Sequence, residues 1–360
     1  MSPILHGGNI WRHAARLGCE PCEILDMSSN VNPFGPMPDL IHFLKDRLAD
    51  ITALPEPHAH TMVAAAAGFY DISSNRILAG NGTTQWIHTF GPALGLKNVL
   101  IASPTYGEYA NSCRAHGIAF SEFKYREDEG FLLDPERFSQ ALHGFDAAFI
   151  CNPNNPTGAL TPRAQLKAIF VRHPETLFIV DESYLPFCDN AETDSFVRSD
   201  LKNVLTLQSM SKIFRIPGLR IGLVTGHPDL IERLSPHDLP WSVNAIAQAA
   251  VRYIMERPEE SRRFMSETRQ RLAEERQWLN GQLTHKTALK VFPSVTSFVM
   301  VRLPVGHNAQ TVAERLLSHR ILIRNCDNFS GLDERFIRIS LKDRDSNRQL
   351  VSRLEAMFSI

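Results

Sequence analysis

The chain has 360 residues, 43% hydrophobic and 21% charged, enough for a sizeable core and about two domains of ordinary size. Lysine plus arginine number 38 against 39 aspartate plus glutamate, so no net field draws the chain to nucleic acid or an acidic membrane surface. The first residues, MSPILHGGNIWRHAARLGCE, lack the basic start and long apolar stretch of a signal peptide, and no apolar run approaches the roughly 20 residues of a membrane span, so the cytoplasm is expected.

Cys19 and Cys22 form a C-x-x-C near the start. A structural zinc site needs a second pair at suitable spacing, and the remaining cysteines at 113, 151, 188 and 326 are scattered. Free thiols and no metal are expected. AGNGTTQWI (79–87) puts glycines ahead of a helix start, where backbone amides and threonine hydroxyls can cradle a phosphate. NVLIASP (98–104), AAFICNP (147–153), TLFIVDE (176–182) and NVLTLQS (203–209) each have the pattern of a buried strand ending in polar or turn residues. Segments of helical periodicity, such as PRAQLKAIFVRH (162–173), lie between them. Strands without strict alternation, separated by helices, predict an α/β fold with a largely parallel sheet covered on both faces. Ligands of such sheets bind beyond the carboxyl ends of the strands. Tyr106, Asn155, Asp181, Tyr184, Ser209 and Lys212 gather at those ends.

After about residue 255 the pattern changes. Residues 258–283 form one long predicted helix, with Met265, Leu272 and Leu279 on one face. SFVMVRL, ILIRNC and RFIRISL follow as predicted strands, with a helix around 309–319. The expected division is a large domain over 46–254 and a smaller one built from 1–45 and 255–360, including an N-terminal arm.

The chemistry centres on SMSKIFRIPGLRIG (209–222). A lysine just beyond a buried strand is often only solvated. Here Ser209 and Ser211 precede Lys212 and Arg220 follows, a set that suits a dianionic phosphate beside a carbonyl group. An amine that condenses with an aldehyde is what pyridoxal 5′-phosphate (PLP) requires. Asp181 closes the apolar strand LFIVD, where an unpaired carboxylate is costly to desolvate. It is either a structural cap or ion-pair partner, or the carboxylate that keeps a pyridine nitrogen protonated. Tyr184 and Asn155 can hydrogen-bond a phenolate oxygen, although NPNNPTG (152–158) is also a good turn. Tyr106 in SPTYGEY can stack on an aromatic ring or fill core.

The ordered series SSNVNPFGP, GNGTT, SPTYGEY, NPNNPTG, VDESY, SMSK and PGLRIG resembles the class I/II aminotransferase superfamily of fold type I PLP enzymes over essentially the whole chain. The resemblance implies a large domain with a mostly parallel seven-stranded sheet sandwiched by helices, plus a smaller α+β domain, and a homodimer with sites at the subunit interface. It implies a Schiff base on Lys212, Asp181 at the ring nitrogen, Asn155 and Tyr184 at the ring oxygen and Tyr106 on the ring face. Gly82, Thr83, Ser209, Ser211 and Arg220 would surround the phosphate, and Arg338 in RFIRISL would clamp the substrate carboxylate.

Within that superfamily the chain is similar to the histidinol-phosphate aminotransferases and the L-threonine-O-3-phosphate decarboxylases of cobalamin biosynthesis. HGGNI (6–10), LPWSVNAIA (239–247) and RILIRNCDNFSGLDERFIRI (320–339) favour the decarboxylases. By that likeness His6, Asn30 and Arg324 would join Arg338 in binding a substrate with two anionic groups. The expected reaction is decarboxylation of a phosphorylated amino acid, L-threonine O-3-phosphate giving aminopropanol phosphate. The alternatives are amino transfer on a substrate such as histidinol phosphate, and a non-catalytic binding protein, which the presence of both Lys212 and Asp181 disfavours. The chain departs from the pattern at Leu54, where the relatives carry a tyrosine reaching the partner's cofactor phosphate. It departs also at Thr83, where an acidic residue follows GNG, and at Ser297, where an asparagine is common.

Overall fold

The computed structural model describes residues 7–359. Thirteen strands are found among them: β1 Leu25–Asp26, β2 Ile77–Gly80, β3 Asn98–Ser103, β4 Ala119–Lys124, β5 Ala147–Cys151, β6 Leu177–Asp181, β7 Val204–Gln208, β8 Gly222–Gly226, β9 Lys290–Val291, β10 Phe298–Arg302, β11 Ile321–Leu322, β12 Arg324–Asn325 and β13 Phe336–Ser340. Seven of them form one sheet in the order β2-β8-β7-β6-β5-β3-β4. Only β8 runs against its neighbours. Every residue of β5, β7 and β8 is buried, as expected of strands covered by helices on both faces. The edge strand β4 is the exception, since polar residues alternate along it. The four apolar runs singled out from the sequence are β3, β5, β6 and β7, each within a residue or two of its expected bounds.

The reversal of β8 matters for the site. Running antiparallel, β8 begins at the edge where β3, β5, β6 and β7 end, and β2 ends there too. Arg220 just before β8 and Gly82 just after β2 therefore arrive on the same rim as Asp181 and Lys212.

The second layer combines β1 with the strands from β9 onward. A four-stranded antiparallel sheet runs β12-β13-β10-β9, and a two-stranded parallel one pairs β1 with β11. The run ILIRNC, expected as one strand, is thus divided: Ile321–Leu322 serves the N-terminal β1 while Arg324–Asn325 serves β13. The long helix spans Pro258–Lys286, with Pro258 at its first turn, Glu259 and Glu260 beside it, and His285 with Lys286 in the last turn. Both ends suit the helix dipole. Met265, Leu272 and Leu279 are all buried on it, and it packs against the C-terminal helix Arg344–Phe358.

The six cysteines are free thiols, and among the described residues no group of three or more histidine, cysteine or acidic side chains is placed to hold a metal. No described helix is long and apolar enough to cross a membrane.

Glu182 braces the rim. Its carboxylate accepts from Ser195 Oγ at 2.5 Å, Phe196 N at 2.7 Å and Gln208 Nε2 at 2.5 Å, tying the end of β6 to the end of β7. Burial pushes its pKa up to about 7 against these stabilising donors. Because the folded chain holds this proton where the unfolded chain has lost it, stability falls as pH rises from about 4.5 to about 7. Glu182→Gln is expected to abolish that component, on the order of 3 kcal/mol. Denaturant titrations of both proteins across that pH range measure it as the pH-dependent part of their difference.

Candidate active site

Lys212 follows β7 on the short helix Met210–Ile213 and is half-buried. Its backbone is gripped by Asn32, whose N–H donates to the Lys212 carbonyl at 3.0 Å and whose Nδ2 donates to Ile213 O at 2.8 Å and Thr268 Oγ1 at 3.0 Å. Desolvation lowers the lysine pKa to about 8, with Arg220 and Arg338 pushing the same way and Asp181 opposing them. At pH 7 that leaves roughly 300 times more neutral amine than an ordinary lysine carries. A neutral amine is what attacks an aldehyde.

Asp181, at the end of β6, is 4% exposed and doubly held. Oδ1 accepts from Ser183 N at 2.9 Å and Oδ2 from the hydroxyl of Tyr109 at 2.8 Å. Two protein donors leave the carboxylate free to present its remaining lone pairs to a third. Sequence reasoning missed Tyr109; the signal was there, three residues after Tyr106 across a helix start. Tyr106 meets Tyr109 edge-on with centroids 5.7 Å apart, and its hydroxyl bonds the Thr84 side chain. The turn carrying Tyr106 is fixed by Asn154, which donates to Pro104 O at 2.8 Å.

The phosphate cradle forms where β2 and β8 meet. Gly82 has φ +77° and caps the helix Thr83–Leu94. A Cβ at Gly82 would lie 2.8 Å from Arg220 Nη2, so only glycine lets the guanidinium lie against this backbone. Ser209 and Ser211 are buried beside Lys212, and the Ser211 hydroxyl donates to Ile221 O at 3.4 Å.

On the other side stand two arginines. Arg324 and Arg338 are direct partners across β12 and β13, 9% and 5% exposed, a register in which like charges repel. Among the described residues each guanidinium is met by neutral oxygens: Arg338 donates to Asn155 Oδ1 and, at 2.7 Å, to Ser28 O; Arg324 donates to Asn328 Oδ1 at 2.6 Å. Arg338 Nε is buried with no partner. Burial pulls both guanidinium pKa values down. Two withdrawn cations without an anion are costly, and a ligand with two anionic groups relieves that cost.

Asn30 accepts from Ser340 Oγ at 2.7 Å and donates to Tyr184 Oη at 3.4 Å, placing it and Tyr184 within the same buried group. The start of the chain also reaches this side. Gly8 N donates to Ser28 Oγ at 2.8 Å, and a Cβ on Gly7 would strike Ser28 O at 2.7 Å. His6, expected beside the substrate, lies outside the described residues. Leu54 is 77% exposed, and Ser297 is fully buried with its hydroxyl unpartnered.

The donor set fits PLP: a half-buried lysine of lowered pKa, a held carboxylate, an aromatic face, and a cradle that a Cβ would fill. The comparisons agree. The model of the family "Aminotransferase class I and II" matches residues 23–354. The chain is 31% identical to the threonine-phosphate decarboxylase of Salmonella typhimurium, over 97% of this chain and 95% of that one. It is 29% identical, over 98% of its length, to the adenosylcobalamin biosynthesis bifunctional protein CobDQ of Leptospira interrogans, of which it spans only 41%. The crystal structure of L-threonine-O-3-phosphate decarboxylase from Porphyromonas gingivalis superposes with a TM-score of 0.82 at 29% identity, covering 93% of this chain and 99% of that chain.

Lys212→Ala is expected to abolish the visible absorbance that appears when the wild-type protein takes up PLP. Uptake by the wild type should quicken as pH rises through about 8. Stopped-flow absorbance reads both; an unchanged spectrum in the variant contradicts the assignment.

Proposed function

The chain belongs to the aminotransferase class I and II family, and on that premise we propose that it is a PLP-dependent decarboxylase of a phosphorylated amino acid, L-threonine O-3-phosphate first among them. The observation that carries this reading is the buried pair Arg324 and Arg338 on neighbouring strands, neither of which forms an ion pair with a carboxylate among the described residues, Asp327 and Asp26 acting on them only from a distance. A substrate that bears a phosphate as well as an alpha-carboxylate supplies one anion to each.

Bound PLP supplies an electron sink for the pair left behind when a bond at the alpha carbon breaks. The chain's residues choose the bond. Arg338 and Arg324, fixed on two paired strands, hold the carboxylate and phosphate and so set which bond stands perpendicular to the cofactor ring. Asn30 would assist at the same end, and Asn155 and Tyr184 would supply hydrogen-bond partners for the ring oxygen. Tyr106 would lie over the ring, and Asp181 would accept the hydrogen bond of its protonated nitrogen. Gly82, Thr83, Ser209, Ser211 and Arg220 hold the phosphate of the cofactor. When the carbon–carboxylate bond breaks, carbon dioxide leaves, and Lys212 Nζ is placed to deliver a proton to the alpha carbon.

The organisation we propose is a large domain over 46–254 and a small one from 1–45 and 255–360, acting as a homodimer in the cytoplasm. The product, an amino-alcohol phosphate, suits cobalamin assembly, in keeping with the names of the relatives.

PLP-loaded protein given L-threonine phosphate and no oxo-acid is expected to release carbon dioxide stoichiometrically with substrate loss. Silence, followed by amino transfer once 2-oxoglutarate is added, overturns the reading in favour of an aminotransferase. Arg324→Ala should weaken binding of L-threonine phosphate at least tenfold more than that of L-threonine, as isothermal titration measures. Equal losses count against a phosphate at Arg324.

A further inference from the structure

We propose that Tyr109 is a positioning residue that fixes the Asp181 carboxylate and the Tyr106 ring together, and so sets where the proton lies at the cofactor's ring nitrogen. The proposal rests on the PLP reading of the site.

Tyr109 belongs to the helix Glu108–Ala115 and is fully buried. Its ring lies parallel to Phe149 of β5, centroids 4.8 Å apart at 11°, and the edge-on contact with Tyr106 holds the other side. Packed between the two, it brings its hydroxyl to Asp181 Oδ2 at 2.8 Å, with the Cys151 thiol also in hydrogen-bonding reach. Cys151, the register partner of Asp181 on β5, borders the same pocket. The oxygen opposite, Oδ1, is tied by Ser183 N, so Tyr109 completes the pair of donors that fixes the carboxylate plane. Desolvation, and then the charge of Asp181, keep the phenol protonated far beyond the neutral range, so it acts as a permanent donor.

A donor on the far side of a carboxylate stabilises its anionic form. Paired with a ring nitrogen, that favours the charged arrangement, proton on nitrogen, over the neutral one with the proton on oxygen. Without the hydroxyl, a buried pair drifts toward neutrality. A purely structural tyrosine would fill the same space and satisfy its hydroxyl without moving that proton.

The test uses holoenzyme rebuilt with PLP carrying 15N at the ring nitrogen. In the wild type the nitrogen resonance should sit at the protonated position. In Tyr109→Phe it should move toward the unprotonated position, with kcat down roughly tenfold. Incorporation of 3-fluorotyrosine at 109 keeps the shape, strengthens the donor, and should leave the resonance at the protonated end. Adding Tyr109→Phe to Asp181→Asn should change neither readout further, because the two act as one unit. Losses that multiply in the double variant, a wild-type resonance in Tyr109→Phe, or a fluorotyrosine protein that follows the phenylalanine one overturn the proposal. Wild-type protein that takes up no PLP overturns the cofactor reading, and this proposal with it.

Discussion

Positive charge withdrawn from water is the condition around which this molecule is arranged. Arg324 and Arg338 are buried and Lys212 half-buried, with the exposed Arg220 at the rim beside them, and Asp181 is set at the strand end next to Lys212, while Asp26 and Asp327 act on the two arginines only from a distance. Such a set is tolerable only if anions complete it. The cradle at Gly82 and Arg220 calls for one, and the pair across β12 and β13 calls for others at the opposite side of the lysine. The arrangement suits the proposed cofactor with its phosphate at one end and a substrate with two anionic groups at the other, with Lys212 between them.

The fold meets that condition through strand direction. Parallel strands deliver their carboxyl ends to a common edge, and the reversed β8 brings Arg220 to it from the opposite sense. The small sheets add the arginines, since β13 carries Arg338 and β12 carries Arg324 in register. The pairing of β1 with β11 ties the N-terminal segment to this layer, so Ser28 can accept from Arg338. Glu182 and Asn32 do not touch the expected ligands; they keep β6, β7 and the Lys212 turn in place.

Much of this was legible in the sequence because the physics is local. Continuous apolar runs marked β3, β5, β6 and β7, and apolar residues at seven-residue spacing marked the long helix, read as 258–283 and found as Pro258–Lys286. Asp181 ends β6 and Lys212 and Asn155 stand a few residues beyond β7 and β5, so their convergence followed from the parallel sheet. What was not legible depends on pairing. β4 alternates polar residues, β2 is four residues long and β8 is glycine at both ends, so none carries a strong apolar signal. Nothing local divides ILIRNC between two sheets; the partners do. Arg324 and Arg338 stood out by resemblance to a motif, but that they face each other across a register is a tertiary fact. Tyr109 was passed over because a buried tyrosine looks like core until its hydroxyl is seen to meet Asp181.

The most direct measurement is a crystal structure of the protein with PLP and L-threonine phosphate bound, captured in the Lys212→Ala variant. The account predicts the ring nitrogen against Asp181, the cofactor phosphate beside Gly82 and Arg220, and the substrate's two anionic groups divided between Arg324 and Arg338. A substrate phosphate pointing away from Arg324, or both arginines left without an anion, would contradict it.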